Sequence, residues 1–364
     1  MPNHYCGVLT IRSINPIPAT HLDPDYQART RLLDAYNREI IGGPQWDGDP
    51  ESELAAARLD TEHQRHRWLA EIDGHAVGFA NLTVNTVDAP DAGDALVFVS
   101  PEHRGRGIGA ALLDVVGEQA ASLGLARLES WIATPVPQGE TVRPNHGVGE
   151  LPADHPGVRL ALRDGFKLGQ VERISRYDAA KPLVDPKDAL REAESVAGED
   201  YEVISWKGQT PDELQKGVAV LLQRMSVDPP SGDMTKAETT WTAERVRERD
   251  RQVLVEFNYY CTVARHRPTG EIVGVSEFAQ PRHNPVALWE QWNTIVLPAH
   301  RGRRLGLLVK AANLVQLPAE EIEAGSIITW NAEENRHMLR VNEQLGFREI
   351  LRRGGFEKRL APEG

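Results

Sequence analysis

Hydrophobic positions along this chain bunch into the same order twice. "ALVFV" (Ala95–Val99) is a short, β-branched apolar run that predicts a buried strand, and "AALLDVVGEQAASLG" after it carries helical spacing. From Arg104 to Arg301, 197 positions on, the order returns as "NTIVLP" and then "LGLLVKAANLVQL". Each copy continues with a second apolar run ("LARLESWIA", "GSIITWNA"), a further helix and a Gly-Phe step ("GVRLALRDGF", "MLRVNEQLGF"). Upstream, "ARTRLLDAYNREI" reads as an amphipathic helix, and "HRWLAEIDGHAVGFANLTV" as a hairpin turning at Asp73-Gly74. "YYCTVARHRPTGEIVGVSEFA" is its counterpart, turning near Thr269-Gly270. Hairpins combined with one strand–helix–strand unit per half predict an α+β class with a mixed sheet, built twice.

A chain of 364 residues exceeds one ordinary core, in keeping with two domains. The expected boundaries are 1–180, a linker over 181–200 and 201–364. Pro186 to Val196 inside the linker has helical character. The second domain opens on the strand "YEVISW", and Thr210 (N-cap), Pro211 and Glu213 announce its first helix. The halves differ in one spacing: Arg104 to Phe166 is 62 positions, Arg301 to Phe347 only 46. The surplus fits Thr134 to Pro152, which is rich in Pro and Gly, lacks periodicity and reads as a long loop placed to cover a site.

Composition narrows the function. A net charge of −12 disfavours nucleic-acid binding and mildly favours a cationic small molecule or peptide. No apolar run reaches a membrane span, and "MPNHYCGVLT" shows no secretory pattern. Cys6 and Cys261 form neither a disulfide framework nor a metal-ligand spacing, so a cytoplasmic protein is expected. His63 and His66 stand three apart and read as a solvated helix face rather than metal ligands. "AERVRERDRQ" reads as a charged surface helix, and Trp46, Trp241, Trp289 and Trp292 as packing residues.

The turn between the apolar strand and its helix carries the chemistry. It holds Arg104, Gly105, Arg106, Gly107, Ile108, Gly109 and Ala110; the second copy holds Arg301, Gly302, Arg303, Arg304, Leu305 and Gly306. A helix N-terminus presents unpaired N–H groups and partial positive charge, and glycines let a bulky anion approach them. The arginines add full charge, so the site suits a pyrophosphate. A dinucleotide fingerprint would set glycine directly after the strand; here "SPEHR" intervenes, and the second copy loses the pattern.

R-x-x-G-x-G after a strand ending in Val-x-Pro resembles the GNAT superfamily of acetyl-CoA-dependent N-acetyltransferases, in both halves. The resemblance implies two consecutive GNAT-type domains, acetyl-CoA (coenzyme A) bound at the turns, and an amine on a small molecule or peptide that attacks the thioester directly. It implies a splayed strand whose amides bind the pantetheine arm and the acetyl carbonyl, falling on Val97 and Val99, and on Thr294 and Val296. It also implies a strand glutamate as general base eleven positions before the turn: Glu290 in the second half, but Gly93 in the first, with Asp94 one step off. The tyrosine of the family's closing helix is replaced by Asn342 and Ala161, while Asn335 matches a cofactor-contacting position. Monomer or homodimer is expected. The competing reading is a protein that holds coenzyme A, or scaffolds, without turnover. Arg304, where the other copy has Gly107, either keeps the bend and adds charge or reshapes it, depending on whether that position needs φ > 0.

Overall fold

The computed structural model describes residues 7–284, 287–318 and 325–360. Cys6 lies outside them; Cys261 is a buried free thiol. The chain forms two compact units. One takes residues up to His146, Glu150–Gln170 and the residues from Arg353 onward; the other takes Gly147–Gly149 and Val171–Arg352.

The first unit opens with β1 (Leu9–Ile14), α1 (Pro24–Ile41) and α2 (Pro50–Leu59). Then come β2 (His63–Ile72), β3 (His75–Asn85), β4 (Ala89–Val99), α3 (Ile108–Ser122) and β5 (Arg127–Thr134). Asp23 caps α1 by accepting from the N–H groups of Asp25 and Tyr26, and Gly42 ends it with φ 83°. The apolar stripe of α1, including Leu32 and the partly buried Tyr36, packs on Leu69, Phe79 and Phe98 of β2, β3 and β4. Each such side chain contributes about 1.5–3 kcal/mol on burial.

The expected loop after β5 is not structureless: β6 (Thr141–Val142) pairs with β7 (Leu151–Pro152). α4 (Pro156–Arg163) follows, and the chain crosses into the second unit within β8 (Lys167–Asp178). The strand order is β1-β2-β3-β4-β5, antiparallel except between β4 and β5.

The second unit repeats the plan. α5 (Pro186–Ala197) is capped by Asp185 and buries Ala189, Ala193 and Ala197, a small-residue stripe that belongs to the same core as α8 (Leu305–Gln316). After it come β9 (Tyr201–Lys207), α6 (Asp212–Val227), α7 (Ala243–Glu256), β10 (Phe257–His266), β11 (Glu271–Pro281) and β12 (Trp289–Val296). β13 (Ser326–Ala332), α9 (Arg336–Leu345) and β14 (Arg348–Arg359) close the chain. The order is β8-β13-β12-β11-β10-β9, with only β12 and β13 parallel. Within β14 the chain returns to the first unit, where Arg353 stacks over Trp131 at 4.5 Å and Lys358 donates to Asp164 at 2.8 Å.

Three local expectations change. α6 starts at Asp212 with Pro211 as N-cap and without a side-chain capping bond, while the Thr210 N–H donates to Asp250 at 2.7 Å. α7 is not wholly a surface helix: Asp250 is fully buried, and Arg249 reaches the buried Glu277 at 2.9 Å. His63 and His66 sit on the strand β2, not a helix. Among the described residues no group of three metal-ligating side chains occurs. Trp289 is core, 5.4 Å from the Tyr260 ring, as expected of packing.

Candidate functional site

In each unit the sheet opens along its parallel pair. β4 pairs with β5 through Ala92↔Arg127, Gly93↔Leu128 and Asp94↔Glu129, and the ladder ends there although β4 runs on to Val99. β12 pairs with β13 only through Trp289↔Ile327 and Glu290↔Ile328, and runs on to Val296. The antiparallel partner fixes where the amides beyond the opening point. Ser100 N–H donates to Val77 at 2.9 Å, so alternation turns the backbone groups of Val97 and Val99 away from β3, toward the gap. Leu297 N–H donates to Val273 at 2.8 Å, and the same alternation turns Thr294 and Val296 toward theirs. The four strand positions expected from sequence therefore face the two openings.

Past each strand the chain makes one tight helical turn, Pro101–His103 or Pro298–His300, and then the glycine bend. Arg104 and Arg301 have nearly identical backbones (φ −67° and −66°, ψ 162° and 163°). Gly105 and Gly107 take φ 76° and 83°; Gly302 and Arg304 take 85° and 55°. The substitution at Arg304 has thus not reshaped the bend. The arginine occupies the left-handed region at a cost of about 1–2 kcal/mol, and its guanidinium pairs with Glu192 on α5. Neither α3 nor α8 has a side-chain cap at its N-terminus, so first-turn N–H groups are left for another acceptor. A Cβ placed on Gly105, Gly107 or Gly302 would meet nothing within 4 Å, which shows open space over the bend. These uncapped, glycine-lined bends fit a diphosphate.

The leading arginines are engaged within the protein. Arg104 donates from Nε to the Val99 carbonyl at 2.9 Å and forks onto Glu39 of α1 at 2.8 and 2.6 Å. Arg301 repeats this with Val296 at 3.0 Å and Asp228 at 2.8 Å. Both are clamps that fix the bend against the preceding strand and a helix end. Arg106 is exposed, its nearest polar contact being the Glu102 carbonyl at 3.3 Å. Arg303 lies over the Tyr201 ring.

The carboxylates at the mouths correct the sequence count. Glu290 pairs with Ala279, and a register shift between Ser276 and Phe278 shows one extra residue in β12 near Trp292-Asn293. β4 has no such bulge along Gly78–Val84. Counting back from the turn therefore puts Gly93 opposite Glu290, whereas in the sheet Asp94 holds the place of Glu290: each is the last residue paired before the opening. Asp94 keeps part of its surface open to solvent, yet desolvation by the surrounding protein pushes its carboxyl up to about 6, with the like charge of Glu129 adding to the rise and Arg353 opposing it. Burial also raises Glu129. Glu290 Oε2 accepts from Trp292 Nε1 at 2.9 Å.

Sequence reasoning missed two residues. Tyr36 of α1 sits edge-on to Phe98 at 5.7 Å, and burial raises its phenol to about 12. It read as an ordinary stripe residue. Lys310 of α8 is buried and donates to Gln291 at 2.8 Å and Asn342 at 2.6 Å; burial alone lowers it to about 7. A lone lysine inside the apolar run "LGLLVKAANL" was its only signal. Gln291 also donates to Thr294 at 3.1 Å, and Asn342 to Asn331 at 2.6 Å, so a polar network lies beneath the second opening. Asn335 spends its side-chain oxygen on the Met338 N–H at 3.3 Å as the N-cap of α9.

The profile of the acetyltransferase (GNAT) family matches residues 27–138. A mycothiol acetyltransferase of Nocardia farcinica is 25% identical over 86% of this chain and 90% of its own length. That of Amycolatopsis mediterranei is 26% identical over 86% and 91%. Among solved structures, a tandem GNAT protein from the clavulanic acid biosynthesis pathway superposes with TM-score 0.73 at 23% identity, covering 98% of this chain and all of that one. A GCN5-related N-acetyltransferase from Sphaerobacter thermophilus gives 0.61 at 18% identity, over 98% and 97%. With the opened parallel pair and the glycine bend present twice, the chain has the tandem GNAT fold, and residues 27–138 within it match the acetyltransferase (GNAT) family.

Proposed function

We propose that this protein transfers an acetyl group from acetyl-CoA to the primary amine of a small molecule or peptide by direct attack. The observation that carries the reading is the opening between parallel strands, with inward-turned amides at Val97 and Val99 and an uncapped glycine bend at its end. Acetyl-CoA supplies a thioester and a diphosphate. The N–H groups of the α3 and α8 first turns are the donors for the diphosphate, with Arg106 and Arg303 nearby. The amides of Val97 and Val99, and of Thr294 and Val296, lie where a carbonyl oxygen gaining negative charge would be held.

A lysine-like amine is neutral in roughly one molecule per 10³–10⁴ at pH 7, a cost of about 4–5 kcal/mol. A carboxylate at the mouth offsets this by taking the proton. Asp94 and Glu290 hold equivalent places for that task, and the raised carboxyl of Asp94 is the better match to neutral pH. The mycothiol acetyltransferase relatives make an amine acceptor a consistent choice.

The test is thiol release from acetyl-CoA across a panel of amines, with Asp94→Asn and Glu290→Gln assayed separately. Gly107→Glu and Arg304→Glu, each tested for coenzyme A affinity, report on the two bends. Coenzyme A binding without thiol release from any amine would leave a scaffold; affinity unchanged by both glutamates would remove the diphosphate assignment.

A further inference from the structure

The face of the first sheet that holds Asp94 carries a second feature. Register places Arg65 beside Thr83, Thr83 beside Asp94 and Asp94 beside Glu129, one row across β2, β3, β4 and β5. Arg67 and Asn81 form the next row. Over these rows lies a cavity of about 360 Å³, lined by Arg29, Arg65, Arg67, His63, Asn81 and Thr83 among others. Its centre is one to two strand spacings from Asp94, roughly 5–10 Å.

The charges do not balance. Arg65 pairs with Asp60. Arg29 and Arg67, each about 6% exposed in the side chain, share a single oxygen of Glu53 at 2.6 and 3.3 Å. Three guanidinium groups thus face two carboxylates. Arg67 Nη1, Arg29 Nε and His66 Nε2 are buried without a partner. A buried cation without a full counter-charge is costly, and a guanidinium fork matches a planar or tetrahedral oxyanion.

The second unit argues that this is no generic trait of the fold. At the matching row it has Tyr259, Ala279, Glu290 and Ile328. The buried carboxylate on its next row, Glu277, is served by Arg249 at 2.9 Å, Tyr259 at 2.6 Å and Asn293 at 2.7 Å.

We propose that the Arg29–Arg65–Arg67 cavity binds an oxyanion, a carboxylate or phosphate monoester, and that this group belongs to the amine acceptor. The second clause rests on the reading of Asp94 as the acceptor's mouth; the first does not. The acceptor class is then a zwitterionic small molecule whose amine and anion stand several bonds apart.

Calorimetric titration of the full chain with inorganic phosphate, and separately with glutarate, tests the cavity and tells the two anions apart. The expected result is saturable binding of at least one, with a dissociation constant near or below about 1 mM and a loss of at least about tenfold in Arg65→Gln. Arg191→Gln, on α5, is the unaffected control. Arg67→Gln is informative if it folds; His63→Ala, at the more exposed rim, serves if it does not. Saturation of neither anion, or equal affinity in Arg65→Gln, overturns the site. For the acceptor, ω-amino acids of four to eight carbons are compared with alkylamines of the same length. A KM at least about tenfold lower for the amino acids, rising in Arg65→Gln, supports the assignment; equal KM values overturn it. Anion binding with no turnover of any amine keeps the cavity and refutes the proposed function instead.

Discussion

One substitution, made twice in one helix, tests the left-handed bend directly. Gly107 and Gly117 begin and interrupt α3, and a Cβ on either meets nothing within 4 Å. Sterics with neighbours therefore drop out, and only backbone conformation separates the sites. At Gly117, inside the helix, alanine removes a flexible residue and stabilises by about 0.5–1 kcal/mol. At Gly107, with φ 83°, alanine incurs the left-handed penalty of about 1–2 kcal/mol. It recovers about 0.4–1 kcal/mol from the stiffer unfolded chain. The two variants should differ by about 1–2 kcal/mol with opposite signs, a separation of roughly 2–6 °C in the unfolding midpoint. Thermal and urea unfolding followed by tryptophan fluorescence measure this. A Gly107→Ala variant as stable as Gly117→Ala would mean that the bend does not hold positive φ, and the argument from open donors at α3 would fall with it.

Arg104→Gln should destabilise the first unit by about 1–3 kcal/mol, because it removes the clamp between Val99 and Glu39. Arg106→Gln should leave unfolding unchanged and weaken coenzyme A binding. Calorimetry and unfolding on both variants separate the roles, and the reverse pattern would reassign them. Asp94→Asn should abolish a kcat/KM limb that rises through pH about 6, if the first unit is the catalytic one. The same raised carboxyl makes wild-type stability fall as pH climbs from the ordinary aspartate range to about 6, since the unfolded chain gives up that proton first; the asparagine variant should lack that fall. Lys310 has the opposite sign. Its value of about 7 means the unfolded chain holds the extra proton between pH 7 and 10, so stability should rise over that window. Lys310→Met should flatten the rise, measured by urea unfolding at a series of pH values.

The repeat was legible because both copies keep the same punctuation: an apolar β-branched strand, proline, His-Arg-Gly, and a helix. The hairpin turns at Asp73-Gly74 and near Gly270 were legible from turn chemistry. What escaped had physical causes. A single bulged residue near Trp292 displaced the count that should have matched Asp94 to Glu290, and a bulge leaves no mark in local composition. The pairing of Arg104 with Glu39 was not legible because the two are 65 positions apart. The arginine cavity hid in "HQRHRW", where alternate residues face one side of a strand; reading His63 and His66 at helical spacing obscured that period of two.

The return of β14 to the first unit reorders the birth of this molecule. On the ribosome the first unit's strands β1 to β5 emerge early, yet Arg353 and Lys358, which stack on Trp131 and reach Asp164, are translated about two hundred positions later than their partners. A premature stop shortly before Arg353 would injure the opposite end of the gene product from the one it shortens. The first unit stays incomplete until β14 has been made, after the whole of the second unit.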